Sequence, residues 1–454
     1  MVKRIIAYLK EPVKAAPLAV FRILFGCLML FATLRFVLGD WVEKYYIAPT
    51  FHFKYFGFEF VTAFGHYTYI LYAITFLSAL GIVIGYRYRL SCILFFLTFT
   101  YSELIDKTYY LNHYYFVSII GFLLIFLPAH SHFSLDAFRN PKKAYSKVPR
   151  YTIFVIQFML CIVYFYAGLA KANSDWLLRA MPLQIWLPSR DYLPIIGDFF
   201  REEWMHYVMS WCGMLYDLSI PFLLFYKRTR RFAFGLVVIF HVLTRILFPI
   251  GVFPYVMICS TLIFFDASFH EKIIDILRKV LRLKGKFTHS ATLFWVPNTR
   301  NRLVAGLFIV FFSFQLLFPF RYLLYPDELF WTEEGYRFSW RVMLIEKGGY
   351  VQYKIVNPEN GNWFYVDHSK FLTDYQEKQL RTQADFILEF AHFLEKHYQG
   401  QGIKDPEVYV DSYIALNGRL SQRYIDPNID LTKIKDSWRH RDWILPFNDK
   451  IYGF

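Results

Sequence analysis

Between residues 17 and 320 the chain turns apolar again and again for about the length of a bilayer crossing, and this repetition limits what it can fold into. A spanning helix needs ~20 mainly apolar residues. We read spans near 17–39, 67–85, 90–105, 113–129, 151–170, 206–226, 232–248, 250–266 and 303–320. Asp217 interrupts the sixth, and the eighth follows its neighbour closely. Hydrocarbon offers the backbone no hydrogen-bond partners, so each span is expected to be an α-helix. Of the 454 residues 56% are hydrophobic and 21% aromatic, against ~45–50% apolar in soluble domains. A water-soluble core has no means of covering that surface.

Charge orients the spans. Residues 321–454 hold 17 Lys/Arg and 20 Asp/Glu, so the +14 of the whole chain resides in the apolar part. The basic residues fall in short clusters between apolar runs, the pattern of loops facing anionic lipid and not of a nucleic-acid surface. With the N-terminus in the cytoplasm, alternation puts 23 Lys/Arg in the inside segments and 7 in the outside loops 40–66, 106–112 and 171–205. Shifting the count by one span would invert this ratio. The expected architecture is an α-helical polytopic membrane protein with about nine transmembrane helices and a C-terminal, non-cytoplasmic α+β domain. The domains are then 1–320 and 321–454. The first run reads as a signal anchor. Segment 272–286, basic and amphipathic, reads as a helix lying on the cytoplasmic face or as a plain solvated helix. In the C-terminal domain, alternation over 338–356 around Lys347-Gly348-Gly349 reads as a hairpin, 369–397 as helical and 407–416 as a strand. The five cysteines all lie in apolar runs, so no disulfide framework is expected.

Ionisable groups in or beside spans are the first functional candidates. They gather at the outer ends: Asp106, Lys107, Asn112 and His113 between spans three and four, and Lys171, Asn173, Asp175 and Trp176 after span five. Asp217 lies within span six, and His241 and Arg245 share a face of span seven at i, i+4. Each also has a plainer reading. Lys171 snorkels to the interface, His113 is a satisfied interfacial histidine, His241–Arg245 is a packing pair, and Asp217 pairs with a basic group in the bundle. Neither a metal-binding histidine or cysteine spacing nor a nucleophile elbow or dinucleotide fingerprint is present.

IDKTYYLNHYYF (105–116), YFYAGLAKANSDW (164–176) and FHVLTRILFPIGVFPYVM (240–257) resemble three segments of the vitamin K-dependent γ-glutamyl carboxylase family. WTEEGYRFSWRVML (331–344) and NGRLSQRYIDP (417–427) resemble its luminal domain. The resemblance extends from about residue 18 to about 445, and the wider bacterial group of horizontally transferred transmembrane (HTTM) domains shares its spans. The chain lacks the cysteine pair and the further domain of the animal enzymes, which implies a bacterial-type member. Its location would be the bacterial inner membrane, or the endoplasmic reticulum if eukaryotic.

The resemblance implies a chemistry. Vitamin K hydroquinone, as phylloquinone or menaquinone, is oxidised by O2 to its epoxide. The strong base formed on the way removes a γ-proton from peptide glutamate, and CO2 adds there. No metal takes part. Lys171 stands at the family's base position and His113 and Asn112 at positions that orient quinol oxygens; these are the expected catalytic residues. Asp106, His241 and Tyr164 are expected on the cofactor side, and Tyr336, Ser339, Trp340 and Met343, with Phe338, on the glutamate side. A free lysine has a pKa near ~10.4, so a lysine base has to be desolvated or set beside another cation. The family carries an acidic residue where Arg341 stands and a histidine at Ile345. Those departures favour a second reading, a quinol epoxidase or oxidase without peptide carboxylation; a third, a non-enzymatic quinone- or lipid-binding membrane protein, leaves Lys171 at the base position without a role. The expected partners are the lipid bilayer and a glutamate-containing peptide or protein.

Overall fold

A computed structural model describes residues 2–283 and 299–454. Every apolar run read from the sequence is helical: Ala16–Leu38, Thr68–Ile84, Tyr88–Ile105, Asn112–Phe126, Tyr151–Ala170, Glu203–Phe225, Arg230–Leu247, Phe253–Thr261 and Thr299–Leu317. Five helices, bounded at 16–38, 65–84, 151–170, 203–225 and 303–324, are long and apolar enough to cross a membrane. The count becomes six if Phe253–Phe264 and Ala267–Val280, bent by 119° at a short break, act as one span. By length and composition the described residues therefore fall short of nine: Asn112–Phe126 and the 253–264 helix are short, and Tyr88–Ile105 and Arg230–Leu247, at 18 residues each, carry charges that lower their apolarity. Leu77, Phe222, Ile239, Ile309 and Val310 are all more than 60% exposed, a surface that lipid accepts and water does not. The chain is a multi-pass membrane protein.

Helix ends are closed by local chemistry. Thr68–Ile84 stops at Gly85, which has φ +64°. A Cβ there would collide with Arg22 and Ser134. The buried Arg22 guanidinium donates to the carbonyls of Ile82 and Val83 at 2.8 Å and to Phe133 at 2.6 Å. It thereby satisfies oxygens that a helix C-terminus leaves unpaired. The amphipathic 272–286 segment lies mostly on helix Ala267–Val280; residues 284–286 are outside the described residues.

In the C-terminal region the antiparallel strands β1 (Pro12–Lys14) and β2 (Lys147–Pro149) of the membrane part are followed by β3 (Lys347–Val356), β4 (Trp363–Tyr365), β5 (Glu407–Leu416) and β6 (Gln422–Arg423). The last four form one antiparallel sheet in the order β4-β3-β5-β6. Burial alternates along β5, and its inner face packs Val408, Val410 and Ile414 against Phe386, Ile387 and Phe390 of helix Ala384–Gln399. The hairpin expected around Lys347-Gly348-Gly349 is absent. Those residues begin β3, paired with Ala415 and its neighbours on β5, while 338–344 has no regular structure. Gly349 is small for a different reason: a Cβ there would run into the backbone carbonyl of Arg381.

Candidate functional site

The polar positions of the sequence motifs form two overlapping sets, with Lys107 in both. One set clamps the membrane part to the C-terminal region. Asp106 accepts from Thr108 N (2.9 Å) and from Gln376 Nε2 (3.0 Å). Lys107 Nζ lies 2.9 Å from both Asp385 and Glu389, and Arg337 Nη1 lies 2.7 Å from Asp385. Farther along, the buried Asp175 receives Arg419 through two 2.7 Å bonds and Asn417 Nδ2 at 2.9 Å. The 105–116 and 164–176 segments are thus each tied by charge to the C-terminal region, the latter to the 417–427 stretch. Burial alone would raise the Asp385 carboxyl, but Arg337 and Lys107 outweigh it and hold it well below the usual carboxylate range. Burial also disfavours the charge on Lys107, yet Asp385 and Glu389 more than offset that and raise it. Burial pushes Asp106 up to about 6.

The other set faces a cavity of about 1590 Å³. Lys171, Asp217, Asn112, His113, Tyr164 and His241 line it from the membrane part, and Tyr336, Trp340, Arg341 and Met343 from the C-terminal region. Lys171 follows the last turn of helix Tyr151–Ala170. Its Nζ donates to Asp217 Oδ2 at 2.8 Å and to the Ala167 carbonyl at 3.1 Å, and lies 5.4 Å from the centre of the Trp176 ring. Trp176 is fixed in turn: Asn173 Oδ1 accepts from its backbone N–H, and its Nε1 donates to the Ser210 carbonyl. The residues just after Lys171 are braced by the 452–454 segment, where Phe454 N donates to the Ala172 carbonyl and Ser174 N to the Tyr452 carbonyl. The sequence reading asked for burial or a second cation at Lys171. Burial is present, with 6% of the residue exposed, but the group beside it is a carboxylate.

His241 Nε2 lies 3.0 Å from Tyr164 Oη, and Phe253 stands between the two imidazoles, with ring centres 5.5 Å from His113 and 5.6 Å from His241. Asn112 is largely committed elsewhere. Its Oδ1 accepts from Tyr110 Oη (3.0 Å) and its Nδ2 donates to the Arg341 carbonyl (2.8 Å), which leaves one amide N–H. Tyr110 Oη also accepts from Phe338 N. On the opposite wall Trp340 stacks on Tyr115 at 5.0 Å, and Phe338, Trp340 and Met343 have φ of +60°, +61° and +54°. Left-handed backbone costs a non-glycine residue roughly 1–2 kcal/mol, and such residues concentrate at functional sites.

Eight of the eleven residues expected from the sequence therefore meet at one cavity. Asp106, Phe338 and Ser339 do not line it; Asp106 caps the turn before Asn112, Phe338 packs on Tyr110, and the Ser339 hydroxyl donates to the Tyr336 carbonyl. Arg341, where the resemblance leads one to expect an acidic residue, stacks over Tyr322 and donates to the Phe454 carbonyl at 3.2 Å. Tyr110 and Tyr115 were not foreseen: a tyrosine in an aromatic-rich run carries no signal of its own. Asp217 did carry one, as a lone carboxylate within an apolar span.

A family model described as HTTM domain matches residues 10–269, more than half of the chain. One described as vitamin K-dependent gamma-carboxylase, lumenal domain, matches residues 300–450. No solved structure matches the chain.

Proposed function

The chain belongs to the HTTM family and, through its C-terminal region, to the vitamin K-dependent γ-carboxylases; from that premise we propose that it oxidises a vitamin K-type hydroquinone with O2 and couples this to γ-carboxylation of peptide glutamate. One observation carries the reading: a single cavity is lined by Lys171, His113 and His241 on one side and by Tyr336, Trp340 and Met343 on the other. Its volume of about 1590 Å³ exceeds the ~300–1,000 Å³ of a one-ligand pocket, in keeping with two substrates meeting there.

The residues fit a quinol. Aromatic walls at Tyr164, Phe240 and Phe253 suit a flat ring. Two buried polar atoms on residues that line the cavity, His241 Nδ1 and Trp340 Nε1, have no hydrogen-bond partner among the described residues, and buried polar atoms ordinarily have one. When bound, the hydroquinone and O2 supply the strong base that takes the glutamate γ-proton. Lys171 Nζ removes the first proton, from a quinol hydroxyl. His113 and the remaining Asn112 N–H donate toward the oxygen that becomes negative. His241, tethered by Tyr164, orients the ring. Trp340 donates Nε1–H toward the glutamate, while Tyr336 and Met343 close that side against water. Asp106 and Ser339 act indirectly, by holding the turns that carry Asn112 and Trp340.

In this reading the chain crosses the membrane nine times, with its N-terminus cytoplasmic. Residues 1–320 form the quinol domain, and 321–454 form an extracytoplasmic domain. The quinol then enters from lipid and the peptide from the aqueous side. Arg341 favours a second reading, epoxidation without peptide carboxylation, because it introduces a cation where the family has an acid. The test of the base is Lys171→Ala in nanodiscs: epoxide formation should vanish while quinone binding persists. Epoxide formation at the wild-type rate would remove Lys171 from the mechanism.

A further inference from the structure

We propose that Asp217 is the positioning partner that makes Lys171 a base, the two side chains working as one proton-accepting unit. The inference rests on the reading of Lys171 as the group that deprotonates the quinol. A lysine can take a proton only after it has given one up, and this one is buried, with 6% of the residue exposed. What adjoins it is Asp217 Oδ2 at 2.8 Å. Both residues are buried, at 4% and 6% exposure, and both face the cavity. The other contacts of Nζ are to the Ala167 carbonyl and the Trp176 ring, neither of which can accept a proton.

The proton balance closes within the site. In the resting pair the Lys171 ammonium faces the Asp217 carboxylate. The proton on their shared hydrogen bond moves to Oδ2, and an N–H bond is exchanged for an O–H bond. This leaves a neutral amine and a neutral carboxylic acid. The amine lone pair then takes the quinol hydroxyl proton, so the ammonium is restored beside the quinol anion. Two buried opposite charges become two others, and no isolated charge is made at any point, which a low-dielectric site would resist. The proton left on Asp217 departs through the cavity before the next cycle. Helix Glu203–Phe225 supports this placement: Gly168 lies so close to Leu218 that the two helices meet at the level of the pair.

A lone desolvated amine and a lysine–carboxylate unit respond differently to loss of Asp217. A lone amine would still work, or work better, without its carboxylate neighbour. A unit would fail. The experiment measures epoxide formation and quinone affinity in nanodiscs for wild type, Asp217→Asn, Asp217→Glu, Lys171→Ala and the Lys171→Ala/Asp217→Asn double variant. We expect D217N to lower kcat by about 100-fold or more with quinone Kd within about twofold of wild type. D217E should recover part of the rate, and the double variant should be no slower than either single one, the signature of residues acting as a unit. Wild-type kcat in D217N, or additive losses in the double variant, would overturn the proposal. If D217N does not accumulate, D217E carries the test: a reduced kcat with unchanged Kd supports the unit, and an unchanged kcat overturns it. Failure of the carboxylase reading looks different, since then the wild-type protein itself forms no epoxide from vitamin K hydroquinone.

Discussion

The two walls of the cavity are built in opposite ways. On the membrane side Lys171, Asp217, His113 and His241 project from within or just beyond regular helices whose backbone is closed by its own hydrogen bonds. On the C-terminal side Trp340 and Met343 sit in an irregular segment where several non-glycine residues hold left-handed backbone. A helix positions a side chain with no outside help. The irregular wall keeps its shape only because other groups hold it: Tyr110 on the Phe338 amide, Asn112 on the Arg341 carbonyl, and the Arg337–Asp385–Lys107 cluster beneath. The membrane wall should therefore tolerate damage to the interface, and the C-terminal wall should not.

The sharpest break in this comparison is Lys107→Ala. Removing one partner of a buried ion cluster costs roughly 3–5 kcal/mol. The variant should expose 321–454 to limited proteolysis and lose glutamate carboxylation while quinone binding survives. Carboxylation at the wild-type level would mean the clamp does not hold the second wall. A Trp340→Phe exchange keeps an aromatic, though smaller, ring and removes the free Nε1–H. It should weaken the response to glutamate peptide by about 1–3 kcal/mol and leave epoxide formation from quinol alone nearly unchanged, read as separate KM values for the two substrates. Ser339→Ala removes one hydroxyl bond within the turn. A fall in melting temperature equivalent to about 0.5–1.5 kcal/mol, with no change in quinone affinity, is expected.

The clamp also has a pH signature. Asp385 is depressed, so its stabilising contribution is complete above the ordinary carboxylate pKa of ~3.9 and declines as pH falls below it. Lys107 is raised, so its contribution is complete below ~10.4 and declines as pH rises beyond it. Asp106 works the other way. Burial lifts it to about 6, so between pH 6 and 4 the folded form binds a proton more readily than the unfolded form and gains stability as pH falls. Proteolytic protection of 321–454 should hold from pH 4 to 10 and fail only outside that window.

The same contrast explains what the sequence could disclose. Apolar periodicity and basic clusters announce helices, and every apolar run is one. Lone charges such as Lys171 and Asp217 stand out against hydrocarbon, and both reach the cavity. The alternation over 338–356 misled because half of it belongs to β3 and half to an irregular segment, with left-handed residues at Phe338, Trp340 and Met343, that no two-residue period describes. Asp106 misled differently: its motif neighbours Asn112 and His113 face the cavity, while its own carboxylate turns to Gln376 across the interface, a partner 270 residues away that no local pattern can name. Span length is the remaining gap, since composition marks an apolar helix but not whether a short one crosses.

The most direct test of the shared cavity is a paired assay on purified protein in nanodiscs, supplied with vitamin K hydroquinone, O2, 14C-bicarbonate and a glutamate-rich peptide, with epoxide and fixed carbon followed separately. One cavity with two working walls predicts that both products form together and that both vanish in Lys171→Ala; epoxide without fixed carbon across a range of peptides would contradict the glutamate wall and leave a quinol epoxidase.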